Sequence, residues 1–148
     1  LSYKSVSSIM TTKLQSTFTE ADLSSLTLVC IPASTVQDNI SRYYKFSNIL
    51  CSNTGMQNGF PHISIVKEKM QSHLGGTDSA EYSYDADFFK GANVILFDDV
   101  VTRGRSMYQM KSALEQIGAN VVCAISIGRT YSDYHGDNRT PHPWSGIY

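Results

Sequence analysis

Two adjacent acids, followed by a short loop of hydroxyl, glycine and arginine residues, form the most chemically informative stretch. Asp98 and Asp99 follow the apolar residues 94–97, which places them at the C-terminal edge of a predicted buried strand, where open α/β sheets bind ligands. The loop then leads into a predicted helix with Thr102, Arg103, Gly104, Arg105 and Ser106. Backbone N–H groups at a helix N-terminus form an anion pocket, and glycine lets the backbone approach the anion closely. The stretch predicts a ligand with a phosphate near a diol, or near a metal ion.

Three apolar runs are expected to form the strands that position these residues. They are residues 26–31 (LTLVCI), 92–97 (ANVILF) and 121–127 (VVCAISI). Continuous β-branched runs are typical of strands that are covered on both faces, as in a parallel sheet. Residues 62–66 (HISIV) are a shorter fourth candidate.

Helical periodicity fills the intervals between the strands. One apolar stripe after Gly104 consists of Met107, Met110, Leu114 and Ile117, and Gly118 is the expected helix stop. A second stripe consists of Val36, Ile40, Tyr43 and Leu50. Because strands and helices alternate, we predict right-handed crossovers and an α/β fold. Its open, mostly parallel sheet is flanked by helices, in a single domain over residues 1–148.

Two segments have neither the apolar pattern of a strand nor that of a helix. Residues 70–90 are predicted to form a flap or hood, since loops of this length are often functional lids, with disorder as the alternative. Residues 131–148 form an irregular tail that contains Tyr131, Tyr134, Trp144 and Tyr148. Such a tail can stack on a base or pack against a second subunit. We favour packing, which predicts a homodimer.

Composition narrows the class of protein. The 148 residues carry 12 Lys and Arg against 13 Asp and Glu, a net charge of −1, which argues against a nucleic acid as a direct ligand. No apolar run reaches the roughly 18 residues of a membrane span, and the first residues lack the apolar core of a signal peptide. We therefore expect a soluble, cytoplasmic protein. Cys30, Cys51 and Cys123 are far apart and odd in number, which predicts buried reduced thiols.

Residues 94–107 resemble the motif with which type I phosphoribosyltransferases bind 5-phosphoribosyl pyrophosphate (PRPP). That motif has four apolar residues, two acids, two apolar residues and then Thr-x-Gly-x-Ser/Thr, and every position matches here. Residues 26–35 (LTLVCIPAST) resemble the first strand and pyrophosphate loop of the family. Residues 41–48 (SRYYKFSN) and 121–130 (VVCAISIGRT) resemble the ComF-type, competence-associated subgroup. The cysteine zinc ribbon and the Gln- and Arg-rich hood of that subgroup are not found in this sequence.

The resemblance implies Mg²⁺-dependent transfer of ribose 5-phosphate from PRPP to a base or amine acceptor, with release of pyrophosphate. It assigns Asp98 and Asp99 to the ribose hydroxyls, directly or through Mg²⁺ and its waters. It assigns the 5-phosphate to Thr102, Arg103, Gly104, Arg105 and Ser106. It assigns the pyrophosphate to Ala33, Ser34, Thr35 and Arg42. A solvent-exposed helix charge is the alternative for Arg42, and one of Arg103 and Arg105 can equally point into solvent.

The motif leaves two classes of function open, because binding PRPP and turning it over use the same residues. One is the transferase, which we favour. The other is a catalytically silent PRPP- or nucleotide-binding regulator, for example of DNA uptake or transcription. In the hypoxanthine and guanine branch of the family an Asp begins the phosphate loop. Thr102 stands there instead, and its hydroxyl is too weak a base near pH 7. We therefore do not expect a 6-oxopurine acceptor handled by that route.

Overall fold

After two N-terminal helices, the described secondary structure combines helices, single strands and one run of consecutive strands. The computed structural model describes residues 2–68, 70–71, 77–78, 80–101 and 105–129. Within them the helices are α1 (Tyr3–Thr17), α2 (Glu20–Ser24), α3 (Val36–Thr54), α4 (Ala86–Phe89) and α5 (Arg105–Gln116), with a short 3-10 helix at Phe60–His62. The strands are β1 (Leu26–Cys30), β2 (Gln57–Asn58), β3 (Ile63–Lys67), β4 (Met70–Gln71), β5 (Thr77–Asp78), β6 (Glu81–Tyr84), β7 (Asn93–Val101) and β8 (Asn120–Arg129).

Four parallel strands form the main sheet in the order β2-β1-β7-β8. All five residues of β1 are buried, as a continuous apolar run requires when both faces of a sheet are covered. Helices α1, α2 and α3 pack on one face through a cluster that includes Leu14, Phe46 and Leu50. Helices α4 and α5 pack on the other face through a cluster that includes Phe89 and Leu114. The predicted α/β fold with an open parallel sheet flanked by helices is confirmed.

Strand β7 is longer than the sequence predicts. It continues past Phe97 to Val101 because β8 continues beside it, with Asp98 opposite Ser126 and Val101 opposite Arg129. The prediction that the two acids follow the strand was therefore wrong in detail. Asp98 and Asp99 lie inside the strand, near its C-terminal end, and the pairing with β8 fixes their register.

The apolar stripe predicted for α3 holds only in the second half of the helix. Tyr43 and Leu50 are buried, but Val36 is 44% exposed and Ile40 is 50% exposed. The first two turns of α3 lie beside a cavity that Asp38 and Arg42 line. The apolar spacing in these turns therefore does not correspond to a buried face of the helix.

The fourth predicted strand pairs differently from the other three. Residues 63–67 form β3, which pairs antiparallel with β6 in a separate two-stranded sheet, with Ile65 opposite Tyr82. The fourth strand of the parallel sheet is instead β2, which has two residues. Burial alternates along β3, with Ile63 and Ile65 half-buried and Ser64 and Val66 exposed. This alternation is typical of a hairpin that is covered on one face only.

The segment predicted as a flap contains regular structure. Strand β6 and helix α4 lie within residues 70–90, and β4 pairs antiparallel with β5; residues 69, 72–76 and 79 lie outside the described residues. We call β3 and β6 together the hairpin. The tail at residues 130–148 also lies outside the described residues, so its predicted packing stays a prediction.

The cysteines agree with the sequence, and so does helix α5 except at Ile117, which lies just after the helix and is half-buried. Met107, Met110 and Leu114 are buried, and Gly118 follows the helix with a φ of 98°. The three cysteines are free and buried. None of the helices in the described ranges is both long enough and apolar enough to cross a membrane.

Candidate functional site

A cavity of about 770 Å³ opens at the C-terminal edge of the parallel sheet. Five parts of the chain line it: the loop after β1, the start of α3, the hairpin strand β6 with the residue before it, the end of β7 and the start of α5. The lining residues are Ile31, Pro32, Ala33, Ser34, Asp38, Arg42, Ala80, Tyr82, Tyr84, Asp98, Asp99, Arg105, Ser106, Gln109 and Met110.

The structure brings most of the candidate residues from the sequence into this cavity. They are Ala33, Ser34, Arg42, Asp98, Asp99, Arg105 and Ser106. Thr35 does not line the cavity, since its side chain caps α3 by accepting a hydrogen bond from the Asp38 N–H at 3.0 Å. Thr102, Arg103 and Gly104 lie outside the described residues, and the roles predicted for them stay predictions.

Asp98 is held by two donors at one carboxyl oxygen. The Tyr43 hydroxyl lies 3.3 Å from Asp98 Oδ1, and the Asp99 backbone N–H donates to the same oxygen at 2.9 Å. Burial and the neighbouring Asp99 carboxylate raise the pKa of Asp98 to about 7, although the Tyr43 hydrogen bond acts in the opposite direction. Near neutral pH, Asp98 therefore changes between its protonated and ionised forms.

Asp99 is more exposed and faces a cation. Its Oδ2 lies 3.8 Å from Arg42 Nε, and both side chains are 47% exposed. Burial lowers the pKa of Arg42, but contacts with Tyr43 and the two acids outweigh burial and raise that pKa above its ordinary value. Arg42 therefore stays cationic at the mouth of the site, where it can meet an anionic ligand or solvent.

Two backbone N–H groups, one in the loop between β1 and α3 and one at the start of α3, already have side-chain acceptors. The Ala33 N–H donates to Asn39 Oδ1 at 3.0 Å. The Val36 N–H, at the first residue of α3, donates to Glu68 Oε2 at 2.8 Å. A pyrophosphate that used either N–H would have to displace these acceptors. Glu68 directly follows β3, and no pattern in the sequence predicts its contact with the start of α3.

One part of the cavity lining, formed by Tyr82, Tyr84, Gln109 and Met110, is uncharged. The sequence analysis assigned none of these residues to a binding site. The rings of Tyr82 and Tyr84 are nearly perpendicular, with centroids 6.5 Å apart, and the Tyr84 hydroxyl lies 3.6 Å from Met110 Sδ. Burial raises the pKa of both tyrosines, that of Tyr84 to about 12. Both phenols are therefore uncharged near neutral pH, and Gln109 adds an amide.

The acid pair fits a magnesium ion that is shared with a ligand. In the described part of the chain, no three His, Cys, Asp or Glu side chains form a group that could hold a metal ion. Carboxylate oxygens are the protein ligands that Mg²⁺ prefers, and it commonly takes one or two of them together with substrate phosphates and water. Asp98 and Asp99 supply two neighbouring carboxylates in the cavity.

Fold and site together define an α/β protein whose parallel sheet presents two acids and a helix N-terminus at one edge. No protein-family model matches the chain. Orotate phosphoribosyltransferase of Staphylococcus epidermidis is 28% identical to it over 100 residues, which cover 62% of this chain and 49% of that protein. The match thus spans about half the length of this curated relative. The similarity supports the resemblance to phosphoribosyltransferases in general and says nothing about the ComF-type subgroup.

Proposed function

We propose that this chain is a phosphoribosyltransferase that binds PRPP with Mg²⁺ and transfers ribose 5-phosphate to a base or amine acceptor. Pyrophosphate is the second product. One observation carries the proposal: Asp98 and Asp99 share a cavity with Arg42 and with the start of α5. The similarity to an orotate phosphoribosyltransferase supports it.

The reaction needs positioning and charge stabilisation more than covalent chemistry. A nitrogen of the acceptor forms a bond to the anomeric carbon, and the bond from that carbon to the pyrophosphate oxygen breaks. The electron pair of the broken bond leaves with pyrophosphate, and an acceptor proton is lost to solvent or to a base. When bound, Mg²⁺ neutralises charge on the pyrophosphate. Within the chain, Asp98 and Asp99 orient the ribose hydroxyls, and Arg42 stabilises the leaving pyrophosphate.

The 5-phosphate is assigned to the start of α5. Arg105 and Ser106 are the first two residues of that helix and line the cavity. Their backbone N–H groups lie at the positive end of the helix dipole, where a phosphate is stabilised. Thr102, Arg103 and Gly104 complete this proposed phosphate loop by the match to the family motif.

The acceptor is assigned to the wall that Tyr82, Tyr84 and Met110 form. Flat, uncharged side chains there suit a planar acceptor ring, which stacks on aromatic faces. We do not expect this acceptor to be a 6-oxopurine, because Thr102 stands where the hypoxanthine and guanine branch of the family has an Asp.

A regulator that binds PRPP or a nucleotide without turnover is the second candidate. The observation that favours it is the hydrogen bond between the Val36 N–H and Glu68. A carboxylate of the chain already occupies the helix end next to which pyrophosphate would bind, which suits a protein that alternates between two states. Pyrophosphate release from PRPP with a panel of bases separates the two candidates: the transferase releases it, and the regulator binds PRPP without release.

Thermal unfolding with PRPP and Mg²⁺ tests binding itself. At 100 times its Kd, PRPP should stabilise the fold by about 2.7 kcal/mol, which raises Tm by roughly 5–11 °C for a domain of this size. Asp98→Asn combined with Asp99→Asn should remove the shift. Glu81→Gln combined with Asp87→Asn is the matched control, because it removes two exposed acids that do not line the cavity. A full shift in the Asp98 and Asp99 double variant would place the site elsewhere.

A further inference from the structure

Two consecutive residues of α3 contact the two consecutive acids of β7. The Tyr43 hydroxyl lies 3.3 Å from Asp98 Oδ1, and Arg42 Nε lies 3.8 Å from Asp99 Oδ2. Arg42 reaches its acid from the surface. Tyr43 reaches Asp98 from within the core, and no motif in the sequence singles it out for this contact.

The position of the Tyr43 hydroxyl is set by the packing of its ring. Tyr43 is 1% exposed. Its ring packs edge-on against Phe97, with centroids 6.3 Å apart, and is tilted against Phe46 at 6.4 Å. A side chain packed this way has little rotamer freedom, so the hydroxyl is a fixed donor to Asp98, which lines the cavity.

Two donors of the protein hold the same oxygen of the Asp98 carboxyl group. Oδ1 accepts from both the Tyr43 hydroxyl and the Asp99 N–H. A carboxyl group with one oxygen bound by two fixed donors keeps a single orientation, and in this orientation Asp98 lines the cavity. Groups that are held in place before the ligand arrives bind it without a further ordering cost.

We propose that Tyr43 is a positioning residue, whose hydroxyl holds the Asp98 carboxyl in the orientation that binds the ribose diol of the ligand. This inference rests on the proposed function, since the diol belongs to PRPP. It predicts that the hydroxyl matters for ligands that carry the ribose and is irrelevant for ligands that carry phosphate alone.

Tyr43→Phe is the variant that tests the inference, because it keeps the ring and its packing and removes only the hydroxyl. Binding of ribose 5-phosphate and of inorganic phosphate is measured by titration calorimetry for the wild type and the variant. We expect affinity for ribose 5-phosphate to fall about tenfold, because the Asp98 side chain must then be ordered when the ligand binds. Affinity for inorganic phosphate should not change. A purely structural role would leave both affinities unchanged or lower both.

Tyr44→Phe is the matched control. It removes a hydroxyl from the next residue of α3, which is 52% exposed and does not line the cavity, so both affinities should match the wild type. If Tyr43→Phe lowers Tm, a double-mutant cycle with Asp98→Asn keeps the test decisive. In that cycle the two losses of ribose 5-phosphate affinity should not add, because each removes the same oriented carboxylate.

Two further results would overturn the inference and are distinguishable from each other. Wild-type affinity for ribose 5-phosphate in Tyr43→Phe would show that the hydroxyl does not position Asp98, and the proposed function would stand. A wild-type protein that binds neither ribose 5-phosphate nor PRPP would overturn the proposed function and this inference together.

Discussion

At the scale of single residues, Asp98 should make the stability of the free protein depend on pH. Its pKa is raised from 3.8 to about 7, first by burial and then by Asp99. The folded state therefore holds the proton more tightly than the unfolded state does. The contribution of protonated Asp98 to the free energy of unfolding is present in full below about pH 4 and is lost as the pH rises to about 7. Each tenfold difference in proton affinity corresponds to about 1.4 kcal/mol.

Asp98→Asn tests this dependence, because the amide stays neutral at every pH. Urea unfolding at several pH values between 4 and 8 should show a smaller loss of stability in the variant than in the wild type as the pH rises. Above pH 7 the variant should be the more stable protein, by an amount on the order of a few kcal/mol. Parallel curves for the two proteins would mean that Asp98 keeps an ordinary pKa.

The same shift has a consequence for the ligand. Mg²⁺ and ribose hydroxyls are bound best by an ionised carboxylate. Asp98, which we propose to bind them, is partly protonated in the free protein near pH 7. Burial of Asp98 raises its pKa, and this shift lowers the free energy of unfolding at the pH where the proposed reaction runs. Such a cost at a functional site is common, since active sites arrange burial and like charges to shift pKa values.

At the scale of elements, the edge strand β2 depends on close contact with β1 at Gly59. The Gly59 N–H donates to the Leu28 carbonyl at 2.9 Å. A Cβ at Gly59 would lie 2.6 Å from that carbonyl oxygen and 3.1 Å from Val29 Cγ2. Both neighbours belong to a buried strand and cannot move aside without disturbing the sheet. Gly59→Ala should therefore destabilise the fold by about 1–3 kcal/mol in urea unfolding.

Gly55→Ala is the comparison for this prediction, because it isolates a different effect. Gly55 caps α3 with a φ of 82° and has open space where a Cβ would stand. Alanine there carries only the cost of the left-handed backbone, about 1 kcal/mol. A Gly59→Ala variant as stable as the wild type would show that β2 is not held against β1 as described.

At the scale of the whole molecule, the cavity joins segments that lie far apart along the chain. Ligand binding should therefore protect all of them at once from hydrogen exchange, measured by mass spectrometry with PRPP and Mg²⁺. We expect slower exchange at the start of α3, in β6 and at the start of α5. Helix α1 is the internal control, since it packs on α3 and none of its residues lines the cavity. Protection confined to α1 and the end of α3 would contradict this site.

Several features of the molecule could be predicted from the sequence alone, because local composition determines them. The continuous apolar runs of β1, β7 and β8 suit only strands that are covered on both faces. The spacing of Met107, Met110 and Leu114 requires a helix with one buried side. The two acids at the end of such a run were expected at the carboxyl edge of the sheet, and the three cysteines, far apart in the sequence, were expected to be buried and unpaired.

Other features were decided only by the tertiary structure, because they depend on which segments meet. Residues 62–66 were recognisable as a strand, but the antiparallel pairing of β3 with β6 was not. Val36 and Ile40 have the spacing of a buried face, yet both side chains are about half exposed. Helix α1 was missed because its sequence is mostly polar and its buried side, with Met10 and Leu14, becomes evident only against α3.

The residues of the candidate site fall into the same two groups, those that the sequence predicts and those that only the tertiary structure brings together. Asp98 and Asp99 could be found from the sequence because the motif holds them together within a few residues. Tyr43 stands 55 positions from Asp98, and Glu68 stands 32 positions from Val36. A hydrogen bond between such distant residues is fixed by the packing of α3 and the hairpin around the sheet edge. Local sequence determines which side chains carry chemistry, whereas only the packed structure determines which of them touch.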